Sequence, residues 1–362
     1  MVRLSLALVL SQVASSVSAS AYIQYSTITG YFLQDDNSTN ATTFDYTATN
    51  FGLINQTYPT DGANAASLTQ WQRFAGLVAN LTKTAPSNVQ YKLLFLGRHG
   101  EGWHNAAESY YGTPAWNCYW SLLDGNATAT WSDAHLTDNG IAQAQTAHAF
   151  WLSRIQQEKI PTPQTYYTSP LYRCLSTANL TFSGLPLPKD RPFRPTIKAL
   201  LREGISEHTC DRRSNRTYIH VQFPTYKFEP GFPETDQLWT GVTAETSTAQ
   251  DARSKTLLDG IFGADKSTYI SFTSHSGEIA SLLRVLRHRA FSLSTGAAIP
   301  VLVRAEKVAA GTSTVSAQPW TASPHCTVPP VSSVSGGASG GCVCPGGVAP
   351  VTTMLPPFAA SA

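Results

Sequence analysis

The sequence predicts an α/β domain, a three-layer sandwich with a mostly parallel central sheet flanked by helices on both faces. Three observations carry this prediction. Short segments at 91–96, 165–168, 196–201, 269–273 and 299–303 read as strands. Amphipathic stretches at 136–157, 171–180 and 279–286 are interleaved with them, and strands alternating with helices imply a covered parallel sheet. The first four strand-like segments each run into glycine, proline or polar residues, which is where such sheets build their sites.

The elements follow in order. Residues 91–96 are apolar on both faces and stop at Gly97, as a central strand does. The stretch 136–157 has Thr137 as N-cap, Asp138 in the first turn, and Ile141, Ala144, Ala147, Trp151 and Ile155 at helical spacing. The strand 165–168 is stopped by Ser169-Pro170, after which Leu171, Leu175 and Ala178 resume helical spacing. Residues 196–201 end at Arg202-Glu203-Gly204, and residues 269–273 end at Ser274-His275-Ser276-Gly277. Ile279, Leu282, Leu283 and Leu286 then mark one face of a helix.

Bulk properties bound the rest. A chain of 362 residues is long enough for one large domain with appendages or for two smaller domains, and 42% apolar residues can fill a sizeable core. A net charge of +2 offers no field for a polyanion, so nucleic acid is not expected as a partner. The basic run Arg284, Arg287, His288 and Arg289 reads as a solvated helix face.

Arg3, the apolar run 4–10 and Val17-Ser18-Ala19 read as a signal peptide over 1–19, too short to span a membrane. Seven sequons, at Asn37, Asn40, Asn55, Asn80, Asn126, Asn179 and Asn215, point to N-glycans and to a secreted, extracellular or cell-surface protein. Residues 20–90 form a glycosylated lead-in expected to pack on the domain at 91–308 by its aromatics. No Asp, Glu, Lys or Arg follows Lys307, so 309–362 is expected to be a disordered, low-complexity tail. Six cysteines allow fifteen pairings if all are bridged, and Cys342-Val343-Cys344 has no neighbouring His or Cys cluster to complete a zinc set. No metal and no cofactor are expected.

The stretch LLFLGRHGEGWHN at 93–105 presents Arg98 and His99 at a strand end. Arg173 follows the second strand, Glu203 the third and His275 the fourth. Two guanidinium forks and two imidazoles at one sheet end suit a dianion such as a phosphoryl group, with backbone N–H groups of a helix starting after Gly100 as further donors. His104 reads as pocket wall or a supporting donor, and Trp116, Trp120 and Trp131 as core or cleft lining.

The motifs Arg98-His99-Gly100 with Asn105, Leu136-Thr137-x-x-Gly140 with Gln143-Ala144, Ser169-Pro170-x-x-Arg173 with Thr177-Ala178, and Ser274-His275-x-Gly277 together resemble the histidine phosphatase superfamily. That is the clan of phosphoglycerate mutases and acid phosphatases, and the resemblance covers about 91–303. The lead-in at 30–36, with Arg202-Glu203-Gly204 and the run from His208 to Arg213, is similar to its fungal, phosphoglycerate mutase-like branch. The resemblance implies His99 as a nucleophile that carries phosphorus, with Arg98, Arg173, His275 and Asn105 as phosphate ligands and Glu203 as general acid. Ser276 stands where acid phosphatases have an aspartate, so Glu101 and Asp211 compete with Glu203 as proton donor. Glu203-Gly204-Ile205-Ser206 departs from the Glu-Arg-x-Tyr-Gly of cofactor-dependent mutases. The expected activity is hydrolysis of a small phosphomonoester. The alternatives are a phosphomutase, or a silent secreted protein that only binds anions.

Overall fold

The computed structural model describes residues 21–309, 320–330 and 342–352. Its strands are β1 (Ala21–Thr27), β2 (Val89–Arg98), β3 (Thr165–Thr168), β4 (Thr196–Ile197), β5 (Lys227–Phe228), β6 (Tyr269–Ser274) and β7 (Ala298–Ala309). The helices are α1 (Gln70–Thr84), α2 (Trp103–Tyr111), α3 (Thr113–Cys118), α4 (Asp138–Ser153), α5 (Tyr172–Phe182), α6 (Arg216–Gln222), α7 (Ser247–Ala264) and α8 (Ser276–Val285). One seven-stranded sheet has the order β1-β7-β2-β6-β3-β4-β5. The pairings from β2 through β6, β3 and β4 to β5 are parallel, and β7 runs antiparallel to β2 and β1.

The layers follow from the run of four apolar residues at 93–96. Successive side chains of a strand face opposite ways, so a segment apolar at every position must be covered twice. Leu94 and Leu96 join a core with Leu257, Leu258 and Phe262 of α7 and Ile279, Leu282 and Leu283 of α8. Leu93 and Phe95 face the other core, with Trp71 and Phe74 of α1, Phe150 and Trp151 of α4, and Phe182 of α5. Each of the four is buried, which contributes about 1.5–3 kcal/mol per side chain.

The predicted N-cap is present, Thr137 Oγ1 accepting from Gly140 N at 3.1 Å. Helix α4 is shorter than the stretch 136–157, because a π-turn over Arg154–Glu158 ends it at Lys159, whose φ is 52°. The stretch 196–201 is a two-residue strand followed by a 3-10 turn, Ala199–Leu201, that swings Arg202 under Asp236 (2.6 Å). The lead-in is more than packing: it supplies edge strand β1, and helix α1 opens with Thr69 and Gln72 capping each other.

Two stretches of the tail differ from the disorder expected of them. Disulfides join Cys118 to Cys342 and Cys326 to Cys344, so covalent tethers hold chain that lacks apolar bulk, while Cys174 and Cys210 are free and buried. The signal peptide and the rest of the tail lie outside the described residues. The basic run is a solvated face only in part: Arg284, paired with Asp251, and Arg287 are exposed, whereas His288 is buried beside Asp35 and Arg289 donates to the carbonyls of Gln34 and Thr39. Trp116 and Trp131 are core, and half-buried Trp120 stacks on Tyr111 at 4.0 Å. Six of the sequon asparagines are exposed, and Asn126 is half-buried with its amide engaged by Tyr111 and Thr128. No helix among the described residues is long and apolar enough to cross a membrane.

Candidate active site

The ladder that ends β2 and β6 also sets the first imidazole in place. His99 N donates to Ser274 O (2.9 Å), continuing the parallel pairing one residue beyond β2, and Gly296 N donates to His99 O (2.9 Å). The chain then turns through Gly100, whose N–H donates to Thr177 Oγ1 (2.9 Å) on α5. Glu101 N donates to Gln143 Oε1 (2.8 Å) on α4. Between these bonds the loop lies directly on the start of α4. A Cβ on Gly100 would stand 2.3 Å from Gly140 O, and one on Gly140 would stand 2.0 Å from Glu101 O. Glycine at both positions is what allows the two backbones this approach.

The His99 ring is 1% exposed. Its Nδ1 donates to Gly100 O (2.7 Å), a bond that fixes the proton on Nδ1 and leaves the lone pair on Nε2. Burial first, then the charges of Arg173 and Arg98, hold its pKa well below the ordinary 6.5, so the ring is neutral. His275 follows β6, its ring centroid 5.0 Å from that of His99. Arg173 Nε donates to His275 Nδ1 (3.2 Å), which leaves His275 Nε2–H to donate to Ser169 Oγ (2.7 Å). Both nitrogens of His275 are therefore bonded within the protein, and its first effect is to orient Arg173. Arg173, 1% exposed, also donates from Nη1 to Cys210 O (2.7 Å) and lies 3.7 Å from Asp211. Arg98 donates from Nη1 to Leu293 O (2.8 Å), while its buried Nε meets no protein acceptor, at a cost of about 1–3 kcal/mol that an anion's oxygen would offset.

The backbone donors expected after Gly100 are committed elsewhere. Besides Gly100 and Glu101, Gly102 N donates to Asn105 Oδ1 (3.1 Å) and Trp103 N to His135 O (3.0 Å), because α2 begins only at Trp103. Asn105 thus caps α2 through its oxygen. His104 is buried, its ring centroid 5.4 Å from that of His99.

The candidate proton donors separate by their partners. Glu203 accepts from Gly204 N (2.9 Å), Glu278 N (3.0 Å) and Gly277 N (3.3 Å), the last two at the start of α8. A Cβ on Gly277 would stand 2.4 Å from its Oε1, which accounts for the glycine two places after His275. Burial, then the Asp211 carboxylate, raise the Glu203 pKa above the ordinary 4.5 against the lowering effect of those bonds. Glu101 accepts from Thr137 Oγ1 (2.6 Å) at the cap of α4, and Asp211 accepts from Ser206 Oγ (2.6 Å) beside Arg173. Sequence reasoning missed the contributions of Cys210 O and Cys174 Sγ, the latter 3.3 Å from His275 Nε2. Neither a carbonyl nor a lone thiol leaves a sequence signal.

A buried neutral imidazole beside a second one, with two arginines at the carboxyl end of a parallel sheet, is an arrangement suited to a phosphoryl group. The comparisons agree: the chain belongs to the histidine phosphatase superfamily, whose branch 1 model matches residues 122–299. The "Probable phosphoglycerate mutase" of Arthroderma benhamiae is 56% identical over 286 residues, 78% of this chain and 85% of that protein. "Phosphomutase-like protein 3" of Candida albicans is 37% identical over 285 residues, 78% of this chain and 81% of that protein. A solved phosphoglycerate mutase from Thermus thermophilus is 22% identical, covering 59% of this chain and 97% of that one with a TM-score of 0.31, a likeness too loose to carry argument.

The contact between Gly100 and Gly140 gives a test. Gly140→Ala should drive the loop off α4 and lower the phosphoryl-transfer rate by about 10²-fold, as misplacing a reacting group by about 1 Å does. Gly260→Ala, in α7 with nothing within 4 Å of the added Cβ, should leave the rate unchanged and raise stability by about 0.5–1 kcal/mol in urea denaturation.

Proposed function

We propose that this protein is an exported phosphomonoesterase that works through a phosphohistidine on His99. The observation that carries the reading is the bond from His99 Nδ1 to Gly100 O, because it directs a neutral Nε2 lone pair away from the backbone. In the first step Nε2 attacks phosphorus, the N–P bond forms and the ester P–O bond breaks. Glu203 gives its proton to the leaving alkoxide. Gly100 O, still holding the Nδ1 proton, supports the positive charge that develops on the ring. In the second step Glu203 takes a proton from water, the hydroxide oxygen attacks phosphorus, and the N–P bond breaks to release phosphate. Arg98 and Arg173 bear the charge on the equatorial oxygens, with Asn105 Nδ2 as a further donor, and His275 joins them if it exchanges Ser169 for a phosphate oxygen. Two features support hydrolysis over mutase chemistry: the sequence around Glu203 lacks the mutase pattern, and the raised Glu203 pKa suits a donor that must later serve water.

The relatives' names favour a second reading, a phosphomutase in which the phosphoryl group passes from His99 to another hydroxyl. Rapid alkali quench during turnover of an aryl phosphate should trap a phosphoenzyme that is lost on later acid treatment and absent in His99→Ala, and stoichiometric inorganic phosphate should follow. A phosphoenzyme that persists in water and discharges only to an added phosphoglycerate would establish the mutase instead.

The two shifted groups set the pH dependence. His99 must be neutral, and its lowered pKa keeps it so as pH falls through 6.5; Glu203 must be protonated, and its raised pKa keeps it so as pH rises through 4.5. After allowance for substrate ionisation, kcat/KM should therefore be bell-shaped with its maximum at acidic pH. Glu203→Gln should remove the alkaline limb; a limb that survives in that variant belongs to another group.

Export and glycosylation rest on the leader-like start and the seven sequons. Material from a eukaryotic secretory host should begin near Ser20 by N-terminal sequencing and gain mobility on N-glycosidase treatment. Retention inside the cell with an intact leader would reject export.

A further inference from the structure

The described parts of the C-terminal segment meet the protein at the strip that carries Glu203. Ser323 N donates to Glu207 Oε1 (2.7 Å), inside the run from Glu203 to Asp211. Thr321 and Ala244 exchange backbone hydrogen bonds of 3.0 and 2.8 Å. The next residue, Glu245, is the hinge of the arrangement: its N donates to Ile205 O (2.8 Å), its Oε1 accepts from Ile205 N (2.9 Å), and it pairs with Arg253. Arg253 in turn donates to the carbonyls of Leu200 (2.6 Å), Arg202 (3.1 Å) and Glu203 (3.1 Å), and pairs with Glu278, whose N–H holds the Glu203 carboxylate. The other end of the segment is fixed covalently. Cys326 N donates to Cys118 O (2.9 Å), the disulfide Cys118–Cys342 binds the segment to α3, and Cys326–Cys344 ties its two described stretches together.

We infer that the disulfide-stapled C-terminal segment is a positioning element for Glu203, so that the proton-transfer step depends on the two disulfides while the nucleophile does not. The inference rests on Glu203 as the proton donor. The His99 loop is held by hydrogen bonds to Ser274, Thr177 and Gln143, and Arg173 by its bond to His275, all outside the run from Glu203 to Asp211, although Arg173 also reaches Cys210 O and the Asp211 carboxylate within it. Loosening the segment acts first on Glu203, through Glu245 and Arg253. A substrate that needs its leaving group protonated, such as an alkyl phosphate, will register the change, and an aryl phosphate will not.

The test compares alkyl and aryl phosphate turnover in the full chain, in its dithiothreitol-reduced form and in two variants. Each disulfide takes two electrons and two protons from the dithiol, which closes to its cyclic disulfide, and Cys174 and Cys210 are already thiols. Glu207→Ala removes the acceptor for Ser323 N and leaves both disulfides intact, whereas Glu207→Gln keeps an oxygen there and should restore activity. The expected result is a loss of about tenfold or more in kcat for the alkyl phosphate on reduction and in Glu207→Ala, reversed by reoxidation. Aryl turnover should stay within about twofold, the same selectivity as Glu203→Gln. Equal losses on both substrates, or none on either, with Glu203→Gln still selective would overturn the positioning role and leave the acid assignment standing. An unselective Glu203→Gln would remove the acid assignment, and this inference with it.

Discussion

A guanidinium at 1% exposure governs the arrangement of this site. Arginine cannot shed its charge, and withdrawing it from water costs several kcal/mol unless acceptors surround it. For Arg173 those acceptors come from distant parts of the chain: His275 beyond β6, and Cys210 O with the Asp211 carboxylate from the loops between β4 and α6. One charge thereby joins the sheet end, the second histidine and the inserted loops. Thr177, one turn further along α5, donates to Arg173 O and accepts from Gly100 N, so the helix that holds the cation also holds the loop of His99. The separation between His99 and Arg173 is thus set by a helix and a sheet, both rigid, and Glu203 and Asp211 stand on loops.

The parts legible in the sequence were those whose neighbours are apolar and whose signals are local. β2 and β6 announce themselves because both faces are buried, β3 because Ser169-Pro170 stops it, and α4 because Thr137 caps it. α1 carried a readable capping box in Thr69 and Gln72 that the polar, sequon-rich surroundings obscured. β1 alternates polar and apolar residues and finds its partner in β7, nearly the whole chain away, which no local pattern reports. β4 and β5 are two residues each, too short for any periodicity.

Within the site, the residues at strand ends were legible as a set, because a parallel sheet sends them all to one edge. Their tautomers and the committed backbone donors were not, since these depend on where carbonyls and hydroxyls fall after folding. The tail shows the same limit from another side. Its lack of charge and apolar bulk reads as disorder, yet two covalent links do for 320–330 and 342–352 what burial does elsewhere.

The antiparallel strand β7 also bears on how the chain is made. β1 spans Ala21–Thr27 and waits for Ala298–Ala309 before it has any hydrogen-bonded neighbour, and β2 lacks one of its two until the same residues arrive. During synthesis from the N-terminus, the first two strands therefore leave the ribosome well before the strand that separates them in the finished sheet. The nascent chain exposes an apolar strand edge through most of its translation, and the closing contacts are among the longest-range it makes. Sequons at Asn37, Asn40, Asn55 and Asn80 cluster in that waiting interval. If glycans are attached there, they shield the unpaired half-sheet from other chains during the time it is most open to them.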